Sequence, residues 1–101
     1  MILVGQVRRT RLADEDILAI WLHIARADPS AADRVLDKLD ARFHLLLKHP
    51  GLGLVRSDVR PGLRQTVVDN YLVFYSPDDR GILVVRVLHA RRKIVPEAFQ
   101  D

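Results

Sequence analysis

Cysteine is absent from all 101 residues, which removes disulfides and every cysteine-based metal or redox centre. Long apolar runs are missing too. Aliphatic stretches such as residues 82–85 reach four residues, far below the roughly 20 that span a bilayer. Residues 1–4 lack the basic start and longer apolar stretch of a secretory signal, so a soluble, cytoplasmic protein is expected. Among the four histidines only His44 and His49 lie close in sequence, and their spacing of five suits a helix face poorly. Neither a metal site nor a cofactor is therefore expected. No repeat, low-complexity tract or linker interrupts the chain, and with 49% hydrophobic residues residues 1–101 read as one folded domain around one core.

What is present is patterned. Residues 2–9 carry Ile2, Val4 and Val7 without strict alternation and read as a strand. Thr10 is placed to cap a helix whose first turns hold Asp14, Glu15 and Asp16, carboxylates that suit the unpaired N–H groups there. Ala13, Ile17, Ile20, Trp21 and Ile24 recur at spacings of three and four, one buried helical face. Trp21 is expected in the core against the sheet, where truncation would remove about 3–5 of the roughly 5–15 kcal/mol that holds a small domain folded. Pro29 ends this helix near Asp28 and opens a second one. There Ala32, Val35, Leu36, Leu39, Phe43 and Leu46 form the apolar stripe, and Leu45 and Leu47 widen it, either over the edge of the core or toward a partner.

Pro50-Gly51 closes the second helix, and residues 50–62 form a loop rich in Gly, Pro and Arg. β-Branched and aromatic runs follow at residues 63–68, 71–75 and 82–88, separated by Asp69-Asn70 and by residues 76–81, which is turn chemistry. They read as an antiparallel meander. The expected fold is a single α+β domain of order βααβββ, a helical hairpin packed on one face of a mainly antiparallel sheet. Propensity does not decide whether the first strand joins at an edge or the centre. The sheet face away from the helices is the place to look for function. Strict alternation puts Ile82, Val84, Arg86 and Leu88 on one side of the last strand, with Leu83, Val85, Val87 and His89 on the other. Arg86, alone in an apolar set, is either an ion-pair residue or part of a binding surface.

Charge is distributed unevenly. Residues 1–53 hold eight Lys/Arg against seven Asp/Glu, whereas residues 54–93 hold eight against four. This bias fits an acidic partner, a nucleic acid or an acidic protein segment, and equally a solvated basic face.

The series Ala13-x-x-Asp16-Ile17-x-x-Ile20-Trp21, Ala32-x-x-Val35-Leu36, His49-Pro50-Gly51-x-Gly53, Pro61-Gly62-Leu63-Arg64, Tyr71-Leu72-Val73-Phe74-Tyr75 and Arg86-Val87-Leu88-His89-Ala90-Arg91-Arg92 resembles the ParE branch of the ParE/RelE toxin superfamily. The resemblance spans nearly the whole chain. It implies the toxin half of a bacterial type II toxin–antitoxin pair of the plasmid-stabilisation kind, with a βααβββ fold. It also implies a cognate ParD-like antitoxin that wraps the toxin, the complex binding operator DNA through the antitoxin.

Within the superfamily, RelE-like members cut messenger RNA on the ribosome with basic residues on the sheet and a tyrosine near the C-terminus. In this chain the corresponding lysine positions are Leu63 and Gln65, the corresponding arginine position is Leu72, and no tyrosine follows Tyr75. These departures favour the ParE-like activity, a non-enzymatic inhibition of DNA gyrase that blocks replication. The alternatives are a RelE-type ribonuclease, for which Arg64, Arg86, His89 and Arg91 are the candidate catalytic set, and an inactive relic that only binds antitoxin. Under the favoured reading Arg91, Arg92, Lys93 and Phe99 are expected to meet the target. Leu45, Arg60, Arg64 and Arg86 are expected to meet the antitoxin.

Overall fold

The computed structural model describes residues 5–100. β1 (Gln6–Arg9) leads through Thr10 into α1 (Arg11–Ala25), followed by α2 (Pro29–Lys48), β2 (Leu54–Val55), β3 (Arg64–Val68), β4 (Tyr71–Asp78), β5 (Gly81–His89) and a short 3-10 turn at Pro96–Phe99. Ile2 and Val4 of the expected first strand lie outside the described residues. The sheet has the order β1-β5-β4-β3-β2, with β1 parallel to β5 and every other pair antiparallel. The first strand is therefore at an edge, reached by the two-helix crossover that a parallel connection requires. β2, read from sequence as loop, adds a two-residue strand at the opposite edge.

Local chemistry fixes the helix starts. The Thr10 hydroxyl accepts from Ala13 N at 3.0 Å and donates to Val85 O at 2.7 Å, so the cap also pins α1 to β5. Asp28 caps α2 through Ala31 N at 3.1 Å, with Pro29 in the first turn. Between helices and sheet, Ala13, Ile20, Leu39, Phe43 and Leu46 pack on Val68, Val73, Tyr75, Ile82, Val84 and Val87. Trp21 corrects its expected place. It is half-buried and bridges the helices, its Nε1 donating to Asp33 Oδ1 at 3.0 Å, because it lies one residue past the face that Ile20 presents to the sheet.

The far face of the sheet is also covered. Leu63, Phe74, Val85, Leu88 and Phe99 form a second buried cluster, joined by Val59, Leu72, Leu83, Ile94 and Ala98. The loop before β3 and the C-terminal segment thus close over the face that sequence reasoning had left for function. Phe99 stacks edge-on to Phe74 with ring centroids 4.9 Å apart.

Strict alternation fails in β5. Phe74 pairs with Arg86 and Tyr75 with Val84, so Val85 is an extra residue in a bulge. Past it the phase flips: Ile82, Val84 and Val87 face the helices, whereas Leu83, Val85 and Leu88 face the second cluster. The segment 76–81, expected as a turn, is mostly strand, with Pro77 opposite Ile82 and only Asp79-Arg80 between β4 and β5. Proline is tolerated there because β3 ends its pairing at Tyr75, leaving no neighbour on that side to need its N–H.

Candidate functional site

Arg86 sits in the bulge, buried at 7% exposure. Its Nε donates to Asp16 Oδ2 at 2.7 Å and its Nη2 to Asp16 Oδ1 at 2.8 Å, a two-pronged pair between β5 and α1. Its Nη1 donates to Ala98 O, tying down the C-terminal turn. Asp16 also accepts from Val87 N at 3.1 Å. That N–H lies beyond the last residue of β5 paired with β1, Val84, so the carboxylate satisfies an edge left bare. Arg86 is thus an internal strut, correcting its place among the expected antitoxin contacts and the nuclease set. Phe99, expected at the target surface, is buried at 6% exposure and closes the second cluster.

Arg64 opens β3 and donates from Nη1 to Gly53 O at 2.8 Å and Gly51 O at 3.2 Å. The same loop is held from below by Tyr75, whose hydroxyl donates to Pro50 O at 2.8 Å and accepts from Gly53 N at 2.8 Å. A Cβ on Gly53 would stand 2.7 Å from that hydroxyl and 2.8 Å from Gln65 O, so the position requires glycine. Of the Gly-x-Gly of the loop, Gly53 thereby acquires a packing reason, whereas a Cβ on Gly51 would meet nothing within 4 Å. Arg60 is exposed and donates to Phe99 O at 3.3 Å, a second clamp on the C-terminal turn.

The four members of the nuclease set are not brought together. Arg64 pairs with Tyr75, and His89 pairs with Tyr71 four residues away on β4. They are separated by about 13 Å along the strands and by two strands across the sheet. His89 accepts the Arg91 backbone N–H on Nδ1 at 3.0 Å. In the neutral ring this leaves the hydrogen on Nε2, the atom that would otherwise serve as a base. Tyr71 meets His89 edge-on at 5.5 Å. Burial, reinforced by the Asp69 charge, pushes its phenol above the ordinary value, so it stays protonated at neutral pH. Among the described residues no three histidine or carboxylate groups gather to hold a metal ion.

Two exposed surfaces among the described residues flank the Asp69-Asn70 hairpin. At the end of β5, Arg91, Arg92 and Lys93 are exposed on a turn fastened by Ala90 N to Asn70 O at 2.8 Å and Arg92 N to His89 O at 2.9 Å. Beyond the Asp69-Asn70 hairpin, Lys38, Ala41, Arg42, Leu45, Val67 and Asp69 line a shallow groove of about 300 Å³ between α2 and β3. Leu45 and Val67 are exposed there, as are Leu54 and Val55 of β2 along the same edge. β2 pairs only with Arg64 and Gln65, so the rest of β3 is a free edge. Arg42 partly covers it, donating to Thr66 Oγ1 at 2.5 Å and Val67 O at 2.9 Å. Sequence reasoning missed Asp16, Tyr75 and Arg42 as positioning residues. For Asp16 the signal was legible, a carboxylate three residues from Ala13 on an otherwise apolar helix face.

The ParE toxin family of the type II toxin–antitoxin system parDE matches residues 7–94. Toxin ParE3 of Caulobacter vibrioides is 30% identical over 95 residues, covering 93% of this chain and 95% of that protein. Toxin ParE1 of the same organism is 31% identical over 84 residues, covering 81% and 85%. A solved structure described as the chromosomal ParDE TA system from P. aeruginosa superposes with a TM-score of 0.72 at 19% identity. It covers 87% of this chain and 98% of its own, a likeness of fold. Two helices on a five-stranded, mainly antiparallel sheet, matched along nearly their whole length, make this chain a member of the ParE toxin family of type II toxin–antitoxin systems.

Proposed function

We propose that this toxin acts by binding and not by catalysis, engaging DNA gyrase, holding its cleaved-DNA complex and so blocking replication. A cognate ParD-like antitoxin neutralises it, and the pair binds operator DNA through the antitoxin. The observation that carries the non-enzymatic part is the dispersal of the nuclease candidates. Arg64 is spent on two loop carbonyls, Arg86 on Asp16 and Ala98, and His89 presents its acceptor nitrogen to a backbone N–H. Acid/base cleavage of RNA needs a base and several cations within reach of one phosphate. The gyrase target is carried over from the family.

The antitoxin surface on this reading is the α2–β3 groove. Leu45, Val67, Leu54 and Val55 supply apolar contact and Arg42 the charge for an acidic, amphipathic segment that orders on binding. Arg64 lies at the edge of that surface, while Arg60 stands on the other face with the C-terminal turn. Arg91, Arg92 and Lys93 remain the target-facing residues.

Expression in a bacterial host without antitoxin tests the reading. Growth arrest with a DNA-damage response, and accumulation of cleaved DNA with purified gyrase, are expected. Rapid loss of translation with codon-positioned cuts in messenger RNA would overturn it in favour of the ribonuclease. Normal growth at confirmed soluble expression would leave only antitoxin binding.

A further inference from the structure

We infer that the turn carrying Arg91, Arg92 and Lys93 is a contact for the phosphate backbone of duplex DNA. The inference deepens the gyrase reading and rests on it for the cellular setting, but the binding itself belongs to this chain alone. Four observations converge.

The three cations are consecutive and exposed, so their Cα atoms span under about 8 Å, inside one Debye length at physiological salt, and their fields add. Among the described residues none gives any of the three side chains a hydrogen-bond or ion-pair partner. The acid on the adjoining hairpin, Asp69, is taken by Lys38 Nζ at 3.2 Å, so the turn keeps its positive charge. The backbone beneath is fastened at three points, Ala90 N to Asn70 O, Arg92 N to His89 O and Arg91 N to His89 Nδ1. This anchorage means that little ordering of the chain opposes binding.

The chemistry around the turn selects the ligand. No exposed large apolar side chain lies between His89 and Lys93, whereas those on the rest of the surface cluster on α1 and around β2, β3 and α2. An apolar protein interface would find no anchor here. Single-stranded nucleic acid is held by exposed aromatic platforms; beside the turn Tyr71 is half-buried, and the exposed His89 ring, set against its edge and accepting the Arg91 N–H, offers a single small platform. Duplex phosphates need neither anchor nor platform, only closely spaced cations on a firm support. The contact carries no sequence information, and with a net charge of +3 it is weak on its own, in the range of about 10⁻⁴–10⁻⁶ M typical of non-specific binding.

Fluorescence anisotropy of the purified full chain with a labelled DNA duplex, without gyrase, tests this across a salt series. Wild-type binding should weaken steeply with salt. The Arg91→Ala, Arg92→Ala, Lys93→Ala triple variant, with an unchanged thermal midpoint, should lose at least tenfold in affinity. Its slope of log K against log salt should fall by about two to three, since each phosphate contact contributes about 0.9. A variant that keeps the charge, Arg91→Lys with Arg92→Lys, should retain most of the binding, which a structural role for the arginines would not predict. Equal affinity of the triple variant, or competition by polyglutamate as strong as by unlabelled duplex, would overturn the inference. So would tighter binding to single-stranded RNA. Capture of gyrase in the absence of DNA, measured alongside, separates this outcome from failure of the gyrase reading: that reading fails if gyrase is not captured, whether or not the duplex binds.

Discussion

Asp16 and Arg86 illustrate how one carboxylate serves several needs. The Arg86 guanidinium is buried in a bulge where water cannot reach most of it, and Asp16 offers both oxygens to it while accepting Val87 N–H. Breaking such a pair leaves an uncompensated buried charge, and Asp16→Ala also leaves an unsatisfied edge N–H. We expect a loss of about 3–5 kcal/mol by urea denaturation, whereas Asp16→Ala combined with Arg86→Met should recover part of it. A second carboxylate acts at the surface. Arg8, bonded to Asp78 at 2.5 Å, holds that carboxyl below its ordinary value of 3.8, helped by the Arg80 backbone N–H. A carboxylate whose pKa falls on folding contributes stability that is present above its unfolded value and is lost as pH falls through its folded one. The window here lies below about pH 4. Asp78→Asn should therefore be less stable than the wild type at neutral pH, and the two denaturation midpoints should converge on acidification. A constant gap down to the acid limb would rule out this ion pair as the source.

At the scale of elements, the C-terminal segment is structural. Phe99 fills the second cluster against Phe74, and two arginines, Arg60 from the loop before β3 and Arg86 from β5, hold the carbonyls of Phe99 and Ala98. Phe99→Ala should cost about 3–5 kcal/mol and speed hydrogen exchange across β5, measured by mass spectrometry. A small change in both would show that this segment is merely laid on the sheet. The same elements show what sequence discloses. Thr10, Asp28 and Pro29 announce the helices, and Asp69-Asn70 announces a hairpin, because caps and turns are local chemistry. The bulge at Val85 is invisible to periodicity, since apart from Arg86 the run from Ile82 to Leu88 is apolar on both faces and either phase fits it. Of the two readings of Arg86, ion pair or binding surface, the structure selects the ion pair, with Asp16 as its partner. Trp21 was misplaced by a single helical step, and β2, two residues long, carries no pattern at all. Surface sites were legible only as charge and surplus leucine, because exposure depends on which segments close over each face.

For the whole molecule, the two open surfaces both border the Asp69-Asn70 hairpin but differ in chemistry, and this difference makes their roles separable. The basic turn follows β5, next to the Asp69-Asn70 hairpin, and holds charge without exposed apolar area. The α2–β3 groove holds exposed Leu45 and Val67 beside the free edge of β3. An amphipathic antitoxin segment buried in that groove would meet carboxylates badly, since a charge placed against apolar contact loses its water without gaining a partner. Leu45→Glu with Val67→Glu should leave the fold intact, both side chains being exposed, and weaken capture of the antitoxin at least tenfold by calorimetry. In cells the same variant should be toxic even with antitoxin co-expressed, while the Arg91, Arg92 and Lys93 alanine variant should bind antitoxin normally and lose toxicity. The pair of outcomes tests the assignment more strictly than either alone. If the groove variant is still neutralised by antitoxin, the antitoxin docks elsewhere, and if both variants lose both properties, the surfaces are coupled and not independent.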